Sequence, residues 1–173
     1  MKIKSSRGIT LIELIVVLAI IGIVLKLAAP NFNAYRQNTN LKEAARDISS
    51  DISYYKQRAI SENRGYRINF NAAANTYTIQ QETVVNGART GNYVALTTKT
   101  IGAGNANIVI YGTPSFDTGT YIMCNPRGTA SNCNNNNGCI VTLQHTKISS
   151  KATITTNLMG RVNVQYSLLY KYQ

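Results

Sequence analysis

The run from Ile9 to Leu25 is almost wholly apolar, yet it carries one acidic residue, Glu13, near its start. A helix over those residues is about 25 Å long, a little short of a hydrocarbon core of about 30 Å. Running on to Ala29, with Lys26 reaching back toward water, closes the gap. A carboxylate at the centre of a bilayer costs about 2.5–3.5 kcal/mol on insertion scales, so a charge kept there has a partner and a role. Ahead of the run lies a short basic leader, Met1 to Arg7, with Lys2, Lys4 and Arg7.

Three readings of this segment compete. A secretory signal fits the basic start, but Glu13 interrupts its apolar centre and no Ala-x-Ala cleavage site follows before Pro30. A plain single-span anchor fits the length and leaves Glu13 unexplained. Cleavage after Gly8 would free the amine of Ile9 and keep the helix. Glu13 would then stand about 6 Å, one helical turn, from a new ammonium group, in reach of that charge in its own chain or in a neighbour.

Gly8-Ile-Thr-Leu-Ile-Glu13, followed by an apolar helix and Pro30, resembles the N-terminus of type IV pilins and type II secretion pseudopilins. The resemblance implies that Gly8 and Ile9 flank the prepilin cleavage site, that Ile9 is N-methylated, that Glu13 is the assembly carboxylate and that Pro30 kinks the helix. Ile9 stands where the family usually has Phe, and Lys26 is atypical. The implied organisation is a cleaved leader over 1–8, a transmembrane and assembly helix over 9–29, an amphipathic helix over 30–63 and an extracytoplasmic β domain over 64–173. The implied partners are a prepilin peptidase, other pilins or pseudopilins in a hetero-oligomeric filament, and an inner-membrane assembly platform. The N-terminus would be cytoplasmic and the C-terminal domain periplasmic or extracellular. That orientation comes from the resemblance, because Arg36, Lys42 and Arg46 after the span balance the cations before it.

Beyond Pro30, Leu41, Ala44, Ala45, Ile48, Ile52, Tyr55 and Ala59 recur at three- and four-residue steps, the spacing of one buried helical face. Asn63-Arg64-Gly65 is the natural stop. A helix from Ile9 to Glu62 would be about 80 Å long, too long for one small globule, so its first half belongs in lipid or in a bundle of like helices. From residue 64 the period becomes two. Tyr66, Ile68 and Phe70 alternate with polar residues, as do Tyr77 and Ile79, and Asn71 to Asn75 would join the two runs in a hairpin. Further strand-like runs are Asn107 to Tyr111, Thr120 to Cys124, Cys139 to Leu143, Ala152 to Thr156 and Val162 to Tyr170. One long helix followed by short strands reads as α+β, with antiparallel sheet packed on the apolar face of the helix. The Gly- and Asn-rich stretches 84–106 and 125–138 read as surface loops.

Pro126-Arg127-Gly128, Gly138-Cys-Ile-Val-Thr-Leu143 and Gly160-Arg161-Val162 are similar to the GspH/FimT branch of pseudopilins and minor pilins. Some FimT-type minor pilins use a basic Gly-Arg-x-Arg stretch in DNA uptake. The matching residues here are Gly160-Arg161-Val162-Asn163, so the second Arg is missing, and Arg161 and Lys171 are the candidate DNA contacts. The bland alternative is that Arg161 caps a turn while Tyr166, Tyr170 and Tyr172 pack the last strand.

The chain has 173 residues and a formal charge of +11; without the three leader cations the side chains carry +8. Such a surplus favours anionic partners, but the cations are spread along the chain rather than clustered. Cys124, Cys133, Cys139 and His145 approach a Cys3His zinc spacing. A strand from Cys139 to His145 would hold those two about 20 Å apart, too far for one ion. Outside the cytoplasm a disulfide is the better use of the thiols. Cys133–Cys139 is favoured, with Cys124–Cys139 across a hairpin as the alternative. No nucleophile motif frames His145, which reads as a surface residue at a strand end, and Glu62 and Glu82 have no carboxylate partner. Gly102-Ala-Gly104 lacks the helix of a phosphate loop. No enzyme, cofactor or metal is expected; the function expected is that of a structural subunit.

Overall fold

The computed structural model describes residues 8–103, 107–133 and 138–169, with residues 27–31 as backbone alone. The leader to Arg7, the Asn134 to Asn137 run, Lys171, Tyr170 and Tyr172 lie outside the described residues.

One helix, α1 (Leu11–Glu62), takes 52 residues and runs unbroken through Pro30. It ends where Asn63 turns left-handed (φ 50°) and its N–H closes back on the carbonyl of Ala59, the αL arrangement that satisfies a helix's last carbonyls. Its buried residues, Leu41, Ala44, Ala45, Ile48, Ile52, Tyr55 and Ala59, are those the three- and four-residue spacing selects.

Among the described residues nine strands follow: β1 (Tyr66–Asn71), β2 (Thr76–Val85), β3 (Ala88–Thr100), β4 (Ile108–Ile110), β5 (Tyr121–Cys124), β6 (Ala130–Ser131), β7 (Cys139–His145), β8 (Lys151–Thr156) and β9 (Val162–Ser167). They form two antiparallel sheets rather than one. The first has the order β3-β2-β1-β5-β6 and the second β4-β7-β8-β9. Inward residues alternate along β1 and β7: Tyr66, Ile68 and Phe70 on one, Cys139, Val141, Leu143 and His145 on the other, all buried. They close a single core with the helix face. Asn75, left-handed at φ 52° in the β1–β2 turn, ties the sheets together. Its amide donates to the carbonyl of Ile108 at 2.6 Å, and its Oδ1 accepts from Ile110 N–H at 3.2 Å.

Two expectations need correction. The stretch 84–106 is not a loop over most of its length: it completes β2 and supplies β3. Asn86 (φ 51°) and Gly87 (φ 77°) make the tight turn between them, matching a two-residue hairpin loop. The strand is hard to see in sequence because β3 is an edge exposed on both faces, Tyr93 alone being half-buried. With no buried face it needs no alternation. Within 125–138, Ala130 and Ser131 return as β6 against Cys124 and Met123.

Candidate functional site

The helix start is set by Thr10, whose backbone is extended and whose Oγ1 accepts from Glu13 N–H at 3.3 Å. Glu13 is thus the third helical residue, and Thr-x-x-Glu is the pattern of a capping box. Its carboxylate also lies at the positive end of the helix dipole, an effect of about 0.3–1 kcal/mol. That is smaller than the cost of a carboxylate in hydrocarbon, so local helix chemistry alone does not account for an acid in this segment.

Around Glu13 the helix is apolar on every side and uncovered. Ile9 is 79% exposed, Leu11 76% and Ile12 72%, and exposure continues through Leu25 at 62%. A helix apolar all round is stable only when covered on all sides, by lipid or by other helices. Among the described residues no helix is long and apolar enough to cross a membrane. The uninterrupted apolar surface of described side chains ends at Leu25, just before Lys26, after about 22 Å of helix.

Among the described side chains the first buried one is Ala34. There two side-chain contacts clamp helix to domain, and a third steadies the segment they hold. Asn38 donates to the carbonyl of Leu169 at 3.0 Å, just beyond β9. Ser150 Oγ accepts from Leu169 N–H at 2.8 Å. His145 Nε2 meets Gln37 Oε1 at 2.6 Å. The far end of the helix is tied by Glu62, which accepts from Arg58 at 2.7 Å and from the Tyr66 hydroxyl. The Tyr66 hydrogen bond, then the Arg58 guanidinium, outweigh burial and hold the Glu62 carboxyl below its ordinary range. Burial and the same carboxylate push the Tyr66 phenol up to about 12.

His145 is therefore not a surface residue but fully buried. Its place was legible: it continues the inward period of Cys139, Val141 and Leu143. Glu82, set aside in the sequence, is 3% exposed and holds Arg89 Nε at 2.6 Å, Gly65 N–H at 2.8 Å and Gly91 N–H at 3.0 Å. Cys133 and Cys139 are joined by a disulfide, and Cys124 is a buried free thiol; burial pushes its pKa up to about 12. Cys124 belongs to the first sheet and Cys139 to the second, so they are not partners across one hairpin.

Arg161 is exposed in the β8–β9 turn. Its N–H donates to Asn157 Oδ1 at 2.9 Å, and its carbonyl accepts from Asn157 N–H at 3.1 Å. Gly160 beside it has φ +67°, and a Cβ there would lie 2.9 Å from the carbonyl oxygen of Gly128. Turn geometry thus accounts for the Gly-Arg pair, while the Tyr166 ring lies 6.0 Å from Lys42 Nζ.

Comparison with known proteins bears on both halves of the molecule. The family description "Prokaryotic N-terminal methylation motif" matches residues 3–25. Two fimbrial proteins of Pseudomonas aeruginosa are each 40% identical over 47 residues, a stretch that is 27% of this chain and 30% of each relative. The chain therefore spans under a third of those relatives. The fold is similar to that of the minor pseudopilin EpsH of the Vibrio cholerae type 2 secretion system (TM-score 0.50, 12% identity, 73% of this chain and 97% of that one). It is also similar to the type IV minor pilin FimU of Pseudomonas aeruginosa (TM-score 0.54, 12% identity, 79% and 99%). At such identities the structures establish the fold alone, and the sequence motif at the N-terminus is the independent second mark. The N-terminal segment is thus similar to a prokaryotic N-terminal methylation motif and to fimbrial proteins, and the fold is similar to that of a minor pseudopilin and of a type IV minor pilin.

Proposed function

We propose that the protein is a structural minor pilin or pseudopilin of the GspH/FimT type, with no enzymatic activity of its own. A prepilin peptidase cuts after Gly8 and methylates the amine of Ile9. The mature helix then waits in the inner membrane, N-terminus cytoplasmic and β domain outside, until an assembly platform moves it into a type II secretion pseudopilus or a type IV pilus. The observation that carries this reading is the apolar surface from Ile9 to Leu25, exposed all round yet continuous with the helix that forms the domain core. Such a surface demands lipid before assembly and neighbouring helices after it.

Within that bundle Glu13 pairs with the Ile9 ammonium of the adjacent subunit and fixes the axial register. A buried charge without its partner costs several kcal/mol, so a slipped register is penalised. Mass spectrometry of the mature N-terminus tests the reading. A chain beginning at methylated Ile9 supports it, and an intact Met1 in the membrane-inserted protein refutes it.

A further inference from the structure

β1 turns Tyr66, Ile68 and Phe70 into the core, so strand alternation sends Arg67 to the opposite face of the first sheet, away from α1. There it stands among aromatic rings. Its guanidinium carbon lies over the ring of Tyr93 on β3, 3.6 Å from the centroid, and over the ring of Tyr121 on β5 at 4.6 Å. β3 lies beyond β2 on one side of β1, and β5 adjoins β1 on the other, so the two tyrosines bracket the cation. Tyr93 is the one half-buried residue of an otherwise exposed strand. Its hydroxyl reaches over Gly65, where an added Cβ would stand only 2.6 Å away.

Stacking of this kind satisfies the flat side of a guanidinium and leaves its N–H edge unmatched. The Nε of Arg67 is buried without a hydrogen-bond partner, and Arg67 enters no ion pair among the described residues. Its cross-strand partners, Gln80 and Met123, carry no charge. Glu82 on β2 is already occupied by Arg89 and by the N–H groups of Gly65 and Gly91. A cation partly removed from water and left unpaired is costly in the isolated chain, and an incoming anion relieves that cost.

The surroundings select the anion. A stacked guanidinium presents a planar fork that fits one carboxylate through two parallel hydrogen bonds. A run of phosphates would need a row of open cations. Here Arg89 is spent on Glu82, and Arg64, just ahead of β1, is paired with Glu62 at 3.7 Å. The rest of the face is polar and uncharged, with Thr78 bonded to Thr98 and Thr120 to Asn69. A second copy of this chain is a poor source of the acid, because it has 7 acidic residues against 18 basic ones.

We propose that Arg67, bracketed by Tyr93 and Tyr121, anchors a carboxylate side chain of a different protein, presented on an acidic segment laid across the outward face of the first sheet. The site goes beyond the filament reading and does not depend on it. It lies on the face turned from the helix, and an unprocessed chain would carry it equally.

Fluorescence anisotropy of the full chain in detergent micelles tests it, with a labelled peptide containing two adjacent glutamates as the probe. The peptide should bind, and its glutamine counterpart should bind at least tenfold more weakly. Arg67→Gln should weaken binding at least tenfold, and Arg67→Lys, which keeps the charge but loses the fork, at least threefold. Tyr93→Phe keeps the ring and should bind as the wild type does, whereas Tyr93→Leu should bind more weakly. Melting curves of the same variants separate loss of the site from loss of the fold, and Arg67→Lys reads the site even where Arg67→Gln unfolds. Failure of the glutamate peptide to bind, equal binding of the glutamine peptide, or unchanged binding by either Arg67 variant overturns the proposal. So does a labelled oligothymidine that binds more tightly than the peptide and loses that binding in Arg67→Gln, which would make the face one for nucleic acid.

Discussion

His145 Nε2 donates to Gln37 Oε1 across 2.6 Å, and its Nδ1 accepts from the backbone N–H of Lys147 at 3.3 Å. Both nitrogens are used, and only the neutral ring with its proton on Nε2 suits them. The residue links β7 to the helix at the level where the apolar segment meets the domain. Burial first, then the nearby Lys147 cation, hold its pKa below the ordinary 6.5. The unfolded chain therefore binds more protons between that depressed value and 6.5, and stability rises with pH across the window. The contribution is complete above 6.5 and is lost as pH falls through the folded value. Thermal melts from pH 7.5 to 5 should show the wild type losing stability and His145→Gln losing less. An equal loss in both would assign the effect to another group.

Glu82 governs a lower window. Burial raises its pKa, but the Arg89 hydrogen bond and the N–H groups of Gly65 and Gly91 outweigh it, and the carboxyl sits below its ordinary 4.5. Its stabilisation is present above about 4.5 and is lost as pH falls through the folded value. Glu82→Ala would strand the buried Gly65 N–H and break the bonds to Gly91 N–H and the part-exposed Arg89, at a cost of about 1–3 kcal/mol. Urea unfolding at pH 7 should report that loss, and the variant should be less acid-sensitive than the wild type below pH 4.5.

Much of this fold is written in local period. The buried helical face, the stop at Asn63 and the alternation of β1 and β7 each follow from which residues must be hidden together. The same period placed His145 inward, and only its ordinary preference for the surface argued otherwise. β3 carried no such signal because an edge exposed on both faces has nothing to hide; the Asn86-Gly87 turn was its one local mark. The Asp51–Lys99 pair and the Gln37–His145 contact join residues far apart in the chain, and no pattern within either segment announces them. The division of strands between two sheets is likewise a property of long-range pairing.

Gly160 and Arg161 are expected to behave oppositely although adjacent. Gly160→Ala puts a side chain at positive φ and within 2.9 Å of a backbone oxygen, a strain of about 1–3 kcal/mol. Arg161→Ala removes an exposed side chain and should stay within about 0.5 kcal/mol of wild type. Paired melting curves check both. If Arg161 contacts DNA, the same variant will instead lose salt-sensitive binding without losing stability.

Glu13 tests the assembly reading most directly. As a cap and dipole partner it contributes at most about 1 kcal/mol to the helix, and Glu13→Ala removes a charge that lipid disfavours. The variant should therefore fold, be cut after Gly8 and remain in the membrane at wild-type levels. On the proposed assembly reading it would lack the partner for a neighbour's Ile9 ammonium, so its incorporation into sheared filaments should fall at least tenfold. Glu13→Gln keeps the shape and a hydrogen-bonding group but not the charge. It should fail nearly as badly if pairing is electrostatic, and largely succeed if the side chain merely caps the helix. Wild-type incorporation of both variants would refute a register set by this carboxylate.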